Sequence, residues 1–212
     1  MKLDRWKGLL VTGTDTGIGK TWVSGLIVEE LRKNGVHAVG LKPVLSGSRE
    51  DAERLWAAGG GSLSIDEVNP WWFKTPVAPL VASRIEGGGL EMDALVSHIH
   101  QVRDSHDFTL VEGVGGWDVP MGEGFSFPDY ARALGFPILV VAANWLGTIN
   151  HTLLTVKAIQ AAGLECLGVV LNNLEAERDV AATTNRAMLE EFCPVPVVGE
   201  VLTDADWIDW AE

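Results

Sequence analysis

"LLVTGTDTGIGKT", Leu9 to Thr21, joins an apolar run to a polar turn that closes on Gly19, Lys20 and Thr21. A phosphate-binding loop is spelled G-x-x-x-x-G-K-[ST]. Here five residues separate Gly13 from Gly19, and Thr14 takes the expected first-glycine position. The chemistry survives the extra residue. Backbone N–H groups of residues 15–20 face inward at a helix start, where the dipole favours an anion. Lys20 is placed to neutralise the β- and γ-phosphates, and the Thr21 hydroxyl to hold Mg2+. The plain alternative is a glycine-rich turn between strand and helix. The context, an apolar strand before and an amphipathic helix directly after, argues for a triphosphate site.

Outward from this loop the chain alternates. "GLLVTG" (8–13) reads as a buried strand, and residues 19–33 as a helix with Trp22, Val23, Leu26, Ile27 and Leu31 on one face. "VHAVGLKP" (36–43), "DFTLVEG" (107–113), "FPILVVAA" (136–143), "LECLGVVLNN" (164–173) and "VPVVGEV" (195–201) read as further strands. Helical patterns cover about 50–58, 90–104, 127–135, 149–162 and 177–192. Continuous apolar strands alternating with helices predict a parallel sheet covered on both faces. With no repeat, low-complexity tract or linker, residues 1–212 read as one P-loop α/β domain. Ligands of such sheets sit at the carboxyl ends of the strands. That gathers 13–21, 42–48, 112–117, 144–150 and 172–173 on one rim.

Composition narrows the function. A chain of 212 residues, 47% apolar and 21% charged, supports a packed core. Net charge is 16 − 29 = −13, which argues against a nucleic-acid surface and against docking on anionic lipid. "MKLDRWKGLL" is interrupted by Asp4, Arg5 and Lys7, so no secretory signal is expected. The most apolar window, "FPILVVAANWLG" (136–147), is shorter than the ~20 residues of a membrane span. Cys166 and Cys193 stand 193 − 166 = 27 positions apart without a CxxC partner. They read as buried thiols in a reducing cytoplasm, a disulfide or metal site being the alternative. The five histidines show no ligand spacing.

Two further motifs fall on the rim. "LVEGVGGWDVP" (110–120) puts Glu112 at the end of a buried strand, with Gly113, Gly115 and Gly116 behind it. An acid there holds Mg2+ as a Walker-B acid does, and the glycines let backbone amides approach an anion. The alternative is a capping acid and a flexible turn. "GLKPVLSGS" (40–48) closes a strand on Lys42. Alone, Lys42 would read as a solvated surface lysine. Beside the other two motifs it reads as a second cation for a transferring phosphoryl group.

Taken together, "GTDTGIGKT", "KPVLSGS", "VEGVGGW" and "LGTINH" (146–151) resemble the dethiobiotin synthetases, which act at the penultimate step of biotin synthesis. The family's P-loop has this same extra residue. The resemblance runs in order from about Leu9 to Val201, and "VNPWWFKTPVAPLVAS" (68–83) is similar to the family's proline-containing segment. It implies joining of CO2 to 7,8-diaminononanoate (7,8-diaminopelargonate) with ATP as co-substrate. By the same resemblance, Thr14, Asp15, Thr16, Gly17, Ile18, Gly19 and Lys20 wrap the phosphates, and Thr21, Asp51 and Glu112 hold Mg2+. Lys42 is the catalytic lysine and Ser46 touches substrate. Gly115 and Gly116 lie along the substrate, Gly115 also bordering the nucleotide. Thr148, Ile149 and Asn150, at a helix start, receive the substrate carboxylate across a homodimer interface. Asn172 recognises adenine, and Asn173, Val201 and Leu202 complete the nucleotide site.

The chain departs from the family at several points. Gly17 replaces an acid common in related P-loops. Asp51, taken over Glu50, lies in a shortened segment, "SREDAERL". "GEVLTDADW" (199–207) lacks the proline expected soon after Glu200, which bears on how strictly ATP is preferred. The tail ends early, at Glu212. Among nine tryptophans, Trp71, Trp72 and Trp145 suit a dimer interface or, equally, core filling.

Three rival classes lack support in these motifs. A regulatory GTPase reads guanine with Asn-Lys-x-Asp, whereas the matching strand end is Asn172-Asn173-Leu174-Glu175. A partition-type ATPase carries an extra lysine early in its P-loop, where Thr14, Asp15 and Thr16 offer none. A cobyrinate-type amidoligase needs a glutaminase domain, for which this sequence leaves no room.

Overall fold

The structure, a computed structural model, describes residues 5–177 and 179–211. The expected domain limits, 1 and 212, and Asp4 lie outside the described residues.

The first half begins β1 (Gly8–Gly13), α1 (Lys20–Lys33), β2 (Ala38–Leu41), β3 (Val44–Ser46) and α2 (Glu50–Ala58). It continues through α3 (Ile65–Val68), β4 (Trp71–Phe73), α4 (Pro79–Glu86), α5 (Met92–Asp104) and β5 (Phe108–Glu112). The second half runs β6 (Pro120–Gly122), β7 (Phe125–Ser126), α6 (Phe127–Leu134), β8 (Ile138–Ala143), α7 (Thr148–Ala161), β9 (Cys166–Asn172), α8 (Val180–Phe192), β10 (Val197–Val201) and β11 (Asp209–Trp210).

Seven strands form the main sheet in the order β11-β10-β9-β8-β1-β5-β2. The pairs joining β2, β5, β1, β8, β9 and β10 are all parallel. From β1 the chain first builds one side of the sheet, through β2 and β5. It then builds the other side through β8, β9 and β10. The loop after β1 therefore sits where the winding reverses, the place a ligand occupies in such sheets.

Alternation along each strand feeds two cores. Leu9 and Val11 face one side with Leu110, Leu139, Val141 and Val170, against Val23, Leu26 and Ile27 of α1. Leu10 faces the other with Val111, Ile138, Val140, Val169 and Leu171, against Leu95 and Ile99 of α5, Val156 of α7 and Leu189 of α8. This period of two inside fully apolar strands is the signature of a sheet buried on both faces.

The sheet departs from the all-parallel expectation at one edge. β11 pairs antiparallel with β10, Gly199 opposite Trp210. Only residues 202–208 join them, too few for the crossover a parallel neighbour needs. The span between β2 and α5 also carries more order than its composition suggests. β3 and β4 pair in parallel, α3 is closed by a capping box between Ser64 and Glu67, and Pro79 opens α4 at a position where a missing N–H costs nothing. The strand expected at 36–43 is shorter because Lys42 turns away to Val68 and Pro43 has no N–H for a ladder.

Leu139 is fully buried at the centre of the sheet. Leu139→Ala should lower the unfolding free energy by about 2–5 kcal/mol, read as a shift of the urea midpoint at unchanged slope.

Candidate active site

The P-loop is held from three directions. The Thr14 N–H donates to the Val141 carbonyl at 3.1 Å, fastening the loop to β8. Ile18 is fully buried and anchors its middle. Asn172, at the end of β9, donates its Nδ2 to the Ile18 carbonyl at 3.0 Å. Gly17 and Gly19 take φ of 75° and 85°, the left-handed region that glycine enters freely. At Gly19 a side chain is also sterically barred, because a β-carbon would stand 2.0 Å from Asn172 Nδ2. Asp15 is turned inward through its backbone: its carbonyl accepts from Lys20 Nζ at 2.7 Å. Its Oδ1 accepts from the Thr16 N–H at 2.7 Å.

Lys20 is 6% exposed. Burial, with the Lys42 charge beside it, lowers its pKa to about 8 against the opposing pull of Glu112, Asp51 and Asp15. The second cation is near enough to be felt by the first. Lys42, 4% exposed, rests its ammonium on Glu112 Oε1. It also lies 3.2 Å from Asp51 Oδ2 and donates to the Gly113 carbonyl at 3.1 Å. Burial alone would lower its pKa; Glu112 and Asp51 override that and hold it above the ordinary lysine value. The Thr21 hydroxyl donates to the same Glu112 Oε1 at 2.8 Å. P-loop, β2 end and β5 end thus converge on one carboxylate.

The other carboxylate oxygen, Glu112 Oε2, is buried without a hydrogen-bond partner among the described residues. An orphaned anionic oxygen is costly unless a cation completes it. A hydroxyl and two carboxylates, from Thr21, Glu112 and Asp51, form a hard-oxygen set of the kind that suits Mg2+ when phosphates and water supply the rest. Among the described residues no group of three or more His, Cys, Asp or Glu side chains is arranged to hold a metal ion by itself, so a metal here would depend on such outside oxygens. Glu50, the alternative to Asp51, is exposed, with its backbone N–H on Ser48 Oγ.

A cavity of about 380 Å³ opens beside these charges. Thr16, Lys42, Ser46, Asp51 and Gly115 form its polar side, and Leu45, Pro76, Val77, Pro79, Val114 and Val119 give it an apolar wall. Ser46 Oγ is buried there without a partner among the described residues. Gly115 and Gly116 pass directly over the P-loop: β-carbons there would lie 3.4 Å from Thr16 Oγ1 and 3.6 Å from the Thr14 carbonyl.

Thr148, Ile149 and Asn150 lie apart from this lining. They start α7 behind Gly147, whose φ is 99°, with no side-chain cap. The Thr148 hydroxyl is buried without a partner among the described residues. Asn150, Trp145 and Leu146 are exposed, Leu146 at 82%. Trp72 is exposed too, while Trp71 is half-buried on β4.

At the far end of the rim, Asn173 is wholly engaged within the protein. Its Nδ2 donates to Glu200 Oε1 and the Val201 carbonyl, both at 2.9 Å, and its Oδ1 accepts from Asn144 Nδ2 at 3.0 Å. Asn185 Nδ2 donates in turn to Asn144 Oδ1 and the Trp145 carbonyl. The structural contribution of Asn173 is to hold the end of β10 at Val201, next to exposed Leu202.

Sequence reasoning marked 68–83 only as a proline-containing segment and 144–150 only as part of the rim; it gave no role to the apolar wall at 76–79 or to Asn69, Arg49, Asn144 and Asn185. The signal for the wall was the run "TPVAP", two prolines among small apolar residues outside any periodic element. Both cysteines are free thiols. Burial pushes the Cys166 thiol up to about 12, away from nucleophilic use. No helix among the described residues is long and apolar enough to cross a membrane.

Comparison with known proteins places this site in context. A family model described as an AAA domain matches residues 7–207. The ATP-dependent dethiobiotin synthetase of Akkermansia muciniphila is 45% identical over 96% of this chain and 95% of its own length. That of Bacillus subtilis strain 168 is 40% identical over 91% and 86%. Among solved structures, a ParA family ATPase from Chlorobium tepidum matches with TM-score 0.60 at 13% identity, covering 95% of this chain and 87% of that one. The signal recognition particle receptor FtsY from Elizabethkingia anophelis, in complex with GDP, matches with TM-score 0.62 at 13% identity. This chain covers 62% of its length. At such identity the structural likenesses describe the fold alone.

The lowered pKa of Lys20 has a measurable consequence. Below about pH 8 the ammonium is intact, and if Lys20 meets a polyphosphate, the affinity should be full there. As pH rises through about 8 the free protein loses that proton and must regain it to bind, so affinity falls by up to about tenfold per pH unit. A side-chain resonance titrating near pH 8, absent in Lys20→Met, would identify the group; titration of every lysine near its usual value would refute the assignment.

Proposed function

We propose a division of labour among the residues above from one premise: this chain belongs to the ATP-dependent dethiobiotin synthetases. It is a C–N bond-forming ligase of biotin synthesis. It joins CO2 to 7,8-diaminononanoate, closes the ring to dethiobiotin, and releases ADP and phosphate. The N7 carbamate of the substrate takes the γ-phosphoryl group of ATP. The N8 amine then attacks the carbonyl carbon of that mixed anhydride, phosphate leaves, and the ureido ring closes.

The carbamate oxygen is already anionic, so the first step needs no general base. It needs two negatively charged partners brought together, and positioning with charge neutralisation is what this rim supplies. Residues 15–20 would present backbone N–H groups to the phosphates, and Lys20 would exchange the Asp15 carbonyl for phosphate oxygen. Lys42, held by Glu112 and Asp51, would supply a second cation to the transferring group. Thr21, Glu112 and Asp51 would hold Mg2+, which when bound offsets phosphate charge. The unpartnered Glu112 Oε2 supports that assignment.

The cavity fits a diamine on a long methylene chain. Ser46, Gly115 and Gly116 would meet its reacting end, and the wall of Leu45, Pro76, Val77 and Val119 its hydrocarbon. The carboxylate would be taken at the start of α7 by Thr148, Ile149 and Asn150 of a second subunit. The uncapped helix N-terminus and exposed Trp145 and Leu146 support a homodimer joined there. Asn172, Asn173, Val201 and Leu202 would border the adenine. A cytoplasmic location accords with the free thiols, and the charge of −13 supports small-molecule substrates over nucleic acid or membrane. The observation that carries this reading is that Lys42, in the lining of one apolar-walled cavity, shares the Glu112 carboxylate with Thr21 of the P-loop.

The direct test combines purified protein, diaminononanoate, bicarbonate, Mg2+ and each nucleotide in turn, with mass detection of the cyclic urea. Lys42→Ala should cut turnover by about a hundredfold, since a cation aimed at the transition state is worth about 3 kcal/mol. A loss under about tenfold would remove Lys42 from the catalytic role. The shared carboxylate site is tested by mixing subunits. A chain with Lys20→Ala and a chain with Asn150→Ala should regain one working site when paired; an inactive mixture would exclude a site built across subunits.

A further inference from the structure

Lys42 leaves the main sheet at the end of β2, so neither of its backbone polar groups has a ladder partner. Both are met by one short segment. The Lys42 N–H donates to the Val68 carbonyl at 3.0 Å, and the Lys42 carbonyl accepts from Asn69 Nδ2 at 2.8 Å. Asn69 is 1% exposed and sits between α3 and β4, ahead of Pro70. Its other amide atom is equally committed: Asn69 Oδ1 accepts from Arg49 Nε at 3.1 Å. A guanidinium has only donors, so the amide can take one orientation alone.

Arg49 extends the clamp. Its Nη2 donates to the Asn69 carbonyl at 2.9 Å and to Asp66 Oδ1 at 2.6 Å, and reaches the Ile65 carbonyl at 3.4 Å. Its guanidinium lies 5.0 Å from the ring centre of Trp72, whose indole N–H donates to the Gly47 carbonyl at 2.8 Å. Arg49 is also the N-cap residue of α2, the helix whose first turn carries Asp51. One buried amide therefore joins the backbone of Lys42 to the start of the helix that bears its carboxylate partner.

We propose that Asn69, oriented by Arg49, is a positioning residue for the phosphoryl-transfer step. It fixes the backbone from which the Lys42 ammonium is aimed. Asn69 has no place in the cavity lining and acts through Lys42 alone. The inference rests on the catalytic role proposed for Lys42. A misplacement of about 1 Å at a reacting group costs on the order of a hundredfold, and removing the Asn69 amide frees the Lys42 backbone to drift by such amounts.

The test is a double-mutant cycle read in kcat, KM for ATP and folded fraction. Asn69→Ala should lower kcat by about tenfold to a hundredfold while KM for ATP stays within about twofold, because the P-loop is untouched. In the Lys42→Ala background the same change should alter kcat by less than about twofold, the mark of two residues acting as one unit. An unchanged kcat in the single variant, or a full additional loss in the Lys42→Ala background, would overturn the proposal. Should Asn69→Ala not fold, Asn69→Asp serves. It keeps the size and the Arg49 bond but sets an oxygen against the Lys42 carbonyl, and the same pattern of kcat loss and non-additivity is required. Near-normal turnover in Lys42→Ala itself would instead remove the catalytic reading of Lys42 and leave the Asn69 contacts as structure.

Discussion

A carboxylate buried at the end of a central strand is the constraint around which this molecule is arranged. Glu112 lies almost wholly out of water, where an unpaired charge would cost several kcal/mol or more. Three elements answer it: the Lys42 ammonium from the end of β2, the Thr21 hydroxyl from the start of α1, and the P-loop geometry that puts Thr21 there. The strand order makes this possible. β5 lies between β1 and β2, so the tips of the three adjacent strands deliver phosphate loop, acid and lysine side by side. Removing either Lys42 or Glu112 would leave a buried charge of one sign, so this pairing is part of what holds the strand tips together.

The rim also has a second level of organisation, made of amides rather than charges. Asn69 ties the Lys42 backbone to Arg49. Asn144, Asn173 and Asn185 tie the turn ahead of α7 to the end of β10. Asn172 ties β9 to the P-loop. Each is a buried side chain with both a donor and an acceptor, and all but Asn185, on α8, are set at or near strand ends. Satisfied networks of this sort restrict a site to one arrangement.

Much of the fold was legible because its physics is local and periodic. β1, β5, β8, β9 and β10 are apolar runs bounded by turn residues, and each was found within about two residues of its observed limits. The P-loop was legible despite its extra residue because strand, glycines and helix stand in unbroken order. Lys42 and Glu112 were legible as strand ends. Their direct contact was not, since strand order depends on long-range pairing that one sequence does not display. The span between β2 and α5 was read least well. α3, β3, β4 and α4 are short, and Asn69 and Arg49 owe their importance to partners 16 to 27 positions away. The edge strand β11 was missed because two residues carry no period.

The placement of charge has a kinetic corollary. The chain carries −13 overall, yet its two site lysines are withdrawn beneath the surface, Lys42 against its own counter-ions and Lys20 against the Asp15 carbonyl. An incoming nucleotide or carboxylate meets the repulsive far field before it meets any attractive group. Dissolved salt shortens the reach of that far field to roughly 8–10 Å at ordinary ionic strength while leaving the recessed cations little affected. Encounter with anionic substrates should therefore quicken as salt is added, opposite to the slowing seen in proteins that steer anions with exposed lysines.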